Sequence, residues 1–226
     1  MCGRYSFAPK PGQKKSLENK VVLPPALILN YNIAPTHRAY VVANDQPDRL
    51  QQMEWGLVPH WSADGKNTGR LINARAEGIE EKPSFRDPIQ FRRCIVPADS
   101  FYEWRKLPGG RKAPYRISAK NEELLYLAGI WDEWGEGDAR KRTFAIITTT
   151  PNLEMSDLHD RMPVVLSDAA AHNKWVSKIP LEPVMALLHP PDDGLLQLYR
   201  VSEKLNRPDY DREDLHTPAR EEWTLF

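Results

Sequence analysis

Apolar and polar positions along this chain alternate in short runs with a period near two, which is the signature of strands rather than long helices. Arg38-Ala39-Tyr40-Val41-Val42 and Gln52 to Val58 read as a strand pair joined by the turn-rich Asn44-Asp45-Gln46-Pro47-Asp48. Further strands are expected at Leu71 to Arg75, Arg93 to Val96, Phe101 to Arg105, Tyr115 to Ile117, Leu124 to Trp131 and Thr143 to Thr149. Lys106 to Lys112, with Pro108-Gly109-Gly110, and Gly135 to Asp138 read as hairpin loops. Helices are few. One is expected from Pro83 or Ser84 to Phe91, one over Asp168 to Val176 with Ser167 as N-cap, and one over Leu181 to Leu188. Strands that follow one another this closely do not build repeated βαβ units. They predict an α+β fold: a single domain over residues 1–226 with a curved, largely antiparallel, barrel-like β core and a few peripheral helices.

Composition narrows this picture. A chain of 226 residues that is 41% hydrophobic can bury a substantial core. Its 20 Pro against 12 Gly fit many rigid turns. No apolar run approaches the length of a membrane span, and Ser6-Phe7-Ala8-Pro9-Lys10 does not resemble a secretory leader. Two cysteines, Cys2 and Cys94, do not make a disulfide framework, so a reducing cytoplasm is expected. Net charge is zero, yet residues 1–120 hold 20 Lys/Arg against 11 Asp/Glu, and the remainder reverses the balance. A basic face built from the first half would attract an anion such as a nucleic acid; halves that interleave in space would cancel.

Familiar chemistries are missing. The chain has no phosphate-cradling loop ending in Gly-Lys-Ser/Thr, no Cys-x-x-Cys or His-Glu-x-x-His metal pattern, and no Gly-x-Ser-x-Gly elbow. No metal and no cofactor is expected. What remains is Cys2 and a set of polar residues in apolar surroundings. Removal of Met1 would leave an N-terminal cysteine with an amine of pKa about 7.7–8.0 beside a thiol of about 8.5. An aldehyde could be captured by the amine as an imine and closed by the thiol into a thiazolidine. Asn73 follows Leu71-Ile72, Glu103 lies between Tyr102 and Trp104, and His159 lies in Leu158-His159-Asp160-Arg161-Met162-Pro163. A carboxylate flanked by aromatics is partly desolvated, which raises its pKa and suits it to proton transfer.

Seven motifs in order carry a resemblance. They are Met1-Cys2-Gly3-Arg4, Tyr31-Asn32-Ile33-Ala34-Pro35, Trp55-Gly56-Leu57-Val58-Pro59, Ile72-Asn73-Ala74-Arg75-Ala76-Glu77, Arg93 to Ala98, Phe101-Tyr102-Glu103-Trp104 and His159 to Pro163. The series resembles the SOS response-associated peptidase (SRAP) family of abasic-site processing proteins. That resemblance implies a shield for abasic sites in single-stranded DNA, attached covalently through a thiazolidine at Cys2, with autopeptidase and lyase-like activities alongside. It implies that Asn73 holds the amine and adduct, that Glu103 moves protons during ring opening and imine formation, and that His159 acts at the imine and in reversal. It places Arg4, Arg75 and Arg161 against phosphates, and Asn32, Pro35 and Trp61 in the DNA-binding surface. The expected protein is a cytoplasmic monomer that does not engage membranes. Two rivals stay open from the residues: an amidohydrolase that uses Cys2 with its own amine as base, and a non-catalytic single-stranded DNA module.

Overall fold

The structure, a computed structural model, describes residues 2–67 and 69–219. Twelve strands and five α-helices follow the order β1 (Arg4–Phe7), α1 (Pro11–Glu18), β2 (Asn30–Ile33), β3 (Arg38–Ala43), β4 (Gln51–Trp55), β5 (Asn73–Arg75), α2 (Arg86–Phe91), β6 (Arg93–Ala98), β7 (Ser100–Lys106), β8 (Lys112–Ala119), β9 (Leu125–Trp134), β10 (Lys141–Thr149), α3 (Leu153–Ser156), β11 (Met162–Pro163), α4 (Ala169–Val176), α5 (Leu181–Met185) and β12 (Leu196–Arg200). Short 3₁₀ turns include Glu203–Asn206 and Glu213–His216. Among the described residues no helix is long and apolar enough to cross a membrane.

The strands form two sheets. β4, β3, β6, β9 and β10 pair in sequence, and β10 returns to β4, so these five close into a barrel. Among the described strands, only the β10 pairings with β4 and β5 are parallel. The second sheet, β12-β8-β7-β1-β2, is antiparallel throughout. It lies against the barrel through β1: Tyr5 meets Trp55 edge-on at 5.1 Å and Phe7 meets Tyr40 at 5.5 Å. The expected α+β fold with a curved, largely antiparallel barrel-like core is what forms.

One join in the barrel positions the site. β4 ends at Trp55 because Gly56 takes φ +120°, a conformation that L side chains rarely adopt. The strand expected to run to Val58 therefore stops three residues early. The chain loops out, and Asn67 pins the excursion by donating from Nδ2 to Glu54 Oε1 at 2.7 Å and to the Trp55 carbonyl at 3.2 Å. When the chain returns, β5 takes the edge of β10 that β4 has vacated. This hand-over puts a half-buried Asn73 at the start of β5, opposite Ile146.

The helices differ in detail from expectation. Asp168, not Ser167, caps α4, because its carboxylate accepts from the Ala171 amide at 2.7 Å. α2 starts at Arg86, after Phe85 as N-cap, and α5 stops at Met185. The buried Arg93 guanidinium ties the C-termini of α2 and α4 together through the Ile89 and Trp175 carbonyls, where helix dipoles favour a cation.

Candidate active site

β1 and β7 run antiparallel with Arg4 opposite Tyr102 and Tyr5 opposite Phe101. That pairing brings Cys2, two residues ahead of β1, toward Glu103 on β7. From the barrel side, Asn73 Nδ2 on β5 donates to the Cys2 carbonyl at 2.8 Å. From a third direction, the loop between α3 and β11 brings His159, whose Nε2 lies 3.8 Å from Glu103 Oε2. The four residues proposed for the chemistry thus converge from four separate elements. Residues 2, 73, 103 and 159 are far apart in sequence, and only the sheet pairings join them.

Burial governs the electrostatics. Glu103 is 2% exposed, and this loss of water raises its pKa, with His159 pulling in the opposite direction. The Cys2 thiol is fully buried and is pushed well above the ordinary thiol range, first by burial and then by the Glu103 carboxylate. A thiol in that state keeps its proton unless a base removes it.

The His159 ring is set by its own loop. Nδ1 lies 2.7 Å from Asp160 Oδ1 and 3.1 Å from the Arg161 amide nitrogen. One nitrogen cannot both donate to a carboxylate and accept from an N–H. The neutral ring with a bare Nδ1 accepts from Arg161; the protonated ring donates to Asp160. With Nδ1 accepting from Arg161, Nε2 carries the ring hydrogen on the Glu103 side. Arg161 is itself clamped: its guanidinium forks onto both oxygens of Glu77, each at 2.8 Å, and donates to the Thr148 carbonyl. The Arg161 hydrogen bonds in turn hold the Glu77 carboxyl below its usual range.

An open groove of about 1200 Å³ adjoins these residues, lined by Glu103, Trp104 and His159 together with Arg105, Lys106, Lys112, Asp157 and Asp160. The other candidates lie at different depths. Arg75 is exposed on β5, two residues from Asn73 and so on the same strand face. Arg4 is half-buried and donates to Asn32 Oδ1 at 2.7 Å and to the Leu205 carbonyl at 3.0 Å. Asn32 is fully buried, with its amide spread over the Leu205, Arg207 and Tyr210 carbonyls. Pro35 is half-buried beside Thr36, which takes φ +73°. Trp61 is 57% exposed on the loop between β4 and β5. Asn32 thus meets the protein rather than solvent.

Sequence reasoning did not single out Glu77, Asp160 or the groove cations. Glu77 and Asp160 lie within quoted motifs, yet no spacing links Glu77 to Arg161; the contact exists only because β5 and the β11 loop flank β10.

Comparison with known proteins places the chain in a family. Residues 1–208 match the family described as SOS response associated peptidase. The chain is 42% identical over 183 residues to the abasic site processing protein YoqW of Bacillus subtilis, spanning 79% of this chain and 81% of that protein. It is 32% identical over 208 residues to the mouse abasic site processing protein HMCES, spanning 77% of this chain and 58% of that one. A crystal structure of a Bacteroides thetaiotaomicron protein superposes with a TM-score of 0.84 at 29% identity, covering 97% of this chain and all of the other. With the motif series, the closed barrel and these matches in agreement, this chain belongs to the SOS response associated peptidase (SRAP) family.

Proposed function

We propose that this protein processes abasic sites in single-stranded DNA by forming a thiazolidine through Cys2 after Met1 is removed. The convergence of Cys2, Asn73, Glu103 and His159, the last two of which line the open groove, carries the reading. Ring opening of the abasic deoxyribose exposes a C1′ aldehyde. The Cys2 amine adds to it, water leaves, and an imine forms. The Cys2 sulfur then bonds to the same carbon, and the thiol proton passes to the nitrogen through Glu103. Removing the imine removes the electron sink for β-elimination, so the strand survives.

Each neighbour has a part. Asn73 fixes the Cys2 backbone through its carbonyl, so amine and thiol face the same carbon. Glu103, whose pKa is raised by burial, is the group that gives and takes protons. His159 donates from Nε2 during imine formation and reversal. Arg75 meets a flanking phosphate directly, with a guanidinium that is always charged and forks toward two oxygens. Arg4 reaches phosphate by releasing Leu205, Arg161 meets it from within its clamp on Glu77, Asn32 and Pro35 shape the surface and Trp61 stacks on an unpaired base. The protein works as a cytoplasmic or nucleoid-associated monomer without a cofactor.

Intact mass spectrometry before and after mixing with an abasic single-stranded oligonucleotide tests this. Loss of Met1 and a denaturation-resistant adduct, less one water, are expected. Cys2→Ala, and a protein that keeps an N-terminal extension, should give none. A stable adduct with Cys2→Ala, or turnover of small amides in place of adduct formation, would overturn the thiazolidine.

A further inference from the structure

The hairpin joining β7 to β8 carries Arg105, Lys106, Arg111 and Lys112 and no acidic residue between them. All four are exposed. Lys106 and Lys112 are direct cross-strand partners. Like charges placed directly opposite each other destabilise a strand pair, and among the described residues none of the four sits in an ion pair. The turn itself is well formed. Leu107 donates to the Arg111 carbonyl at 2.9 Å, and Gly109 and Gly110 take φ +76° and +79° in open space. The hairpin is fixed at its root by Trp104 Nε1, which donates to Asn206 Oδ1 at 2.7 Å.

Arg105, Lys106 and Lys112 line the same groove as Glu103 and His159, while Asp157 and Asp160 line it from the α3–β11 loop. The groove is therefore electrically asymmetric, with a basic wall and an acidic wall. At a strand rise of about 3.3 Å per residue, Arg105 and Lys106 sit roughly 7 and 10 Å beyond Glu103 along β7. A polyanion held at Glu103 would have its next charges repelled by Asp157 and Asp160 and attracted to the hairpin.

We infer that the β7–β8 hairpin is a phosphate rail that holds the nucleic-acid strand on one side of the lesion only. It contacts backbone phosphates, so it is indifferent to base sequence. This rests on the function proposed above and adds a polarity to it. The competing account is that the lysines merely guard an exposed strand end against edge-to-edge aggregation.

The test uses the full chain and the double variant Lys106→Ala/Lys112→Ala. Two abasic single-stranded oligonucleotides of equal length carry the lesion near the 5′ or near the 3′ end. The double variant should crosslink one of them about tenfold more slowly at low salt and the other no more than twofold more slowly. Its log–log salt slope for binding an undamaged single strand should flatten by about 1.4, from two lost phosphate contacts at about 0.7 each. Lys106→Arg/Lys112→Arg should restore both. Equal losses on the two substrates would overturn the polarity, and an unchanged slope with increased aggregation would return the lysines to a guarding role. If the unaltered protein crosslinks neither substrate, the function reading fails, and the slope on undamaged strand still decides whether the hairpin holds phosphate.

Discussion

At the scale of single residues, the site works by withholding water from groups that prefer it. Glu103 shows the sign of the effect. Its folded pKa lies above the ordinary carboxyl value because of burial, so the folded state binds a proton that the unfolded chain has lost. Stability therefore falls as pH rises from the unfolded pKa through the folded one. Glu103→Gln, which has no charge to desolvate, should raise Tm at pH 7.5 relative to the parent and leave it nearly unchanged at pH 3.5. The same substitution should slow crosslinking by about 10² or more, the usual contribution of a positioned acid–base group. A variant that is more stable yet less active separates the chemical role of Glu103 from a structural one; equal Tm shifts at both pH values would not fit. Glu77 makes a second case. Its fork on Arg161 fixes the loop that orients His159. Glu77→Gln should lower the crosslinking rate about tenfold and displace its pH profile, without tightening binding of undamaged single strand. Tighter binding with a steeper salt slope would instead show that Glu77 masks Arg161 from phosphate. The individual residues Cys2, Asn73, Glu103 and His159 were readable from the motif series, whereas the Glu77 clamp was not, because nothing in sequence distance marks a contact across β10.

At the scale of elements, alternation found the long barrel and hairpin strands, and short β5 within Leu71 to Arg75, but missed the other short ones. β3, β4, β6, β7, β8, β9 and β10 each show a run of apolar positions that survives on its own. β1, β2, β11 and β12 have two to five residues apiece, and their strand character comes from the neighbour they pair with. α1 was missed for a related reason. It begins Pro-Gly, buries only Leu17, and has no acidic residue in its first turn, so packing rather than propensity holds it. The barrel has one tight point. Gly129 on β9 pairs with both Cys94 of β6 and Ile146 of β10. A Cβ there would lie 2.9 Å from Cys94 Sγ, 3.1 Å from the Ala145 carbonyl oxygen and 3.2 Å from Val96 Cγ2. Gly129→Ala should cost about 1–3 kcal/mol, the range for overpacking a filled core. Chemical denaturation should show a lower midpoint with an unchanged m-value. Adding Cys94→Ala should recover part of the loss, since the closest offending atom goes. If Gly129→Ala proves neutral, the barrel is looser at this point than its contacts indicate.

At the scale of the whole molecule, the two oppositely charged halves do both things that the sequence allowed. Arg142 of the second half pairs with Asp45 of the first, and Arg161 pairs with Glu77, so charges interleave. The exposed cations on the β7–β8 hairpin nevertheless all come from the first half. The second half contributes a strap. After β12 the chain crosses back over the small sheet, where the Leu205, Arg207 and Tyr210 carbonyls receive Asn32, Leu205 also receives Arg4, and His216 reaches Ser6 Oγ at 3.2 Å. This strap braces β1, the strand that leads directly to Cys2, and His216 makes it acid-sensitive. Burial lowers the His216 pKa to about 4, against the attraction of Asp99. An unfolded or detached strap carries an ordinary histidine near 6.5 and takes up a proton that the docked one refuses. The docked state therefore loses stability as pH falls from about 6.5 to 4. Hydrogen exchange at the Leu215 and Thr217 amides, which close the 3₁₀ turn onto the Arg212 and Asp214 carbonyls, should show protection dropping between pH 7 and pH 5 after correction for intrinsic rates. His216→Gln keeps a polar group near Ser6 without a titrating charge, so its protection should be independent of pH over that interval. If the variant retains the parent's acid dependence, the strap is released by another group, and Asp99, at the centre of the same buried network with Ser6, Ser100 and Arg116, is the one to substitute next.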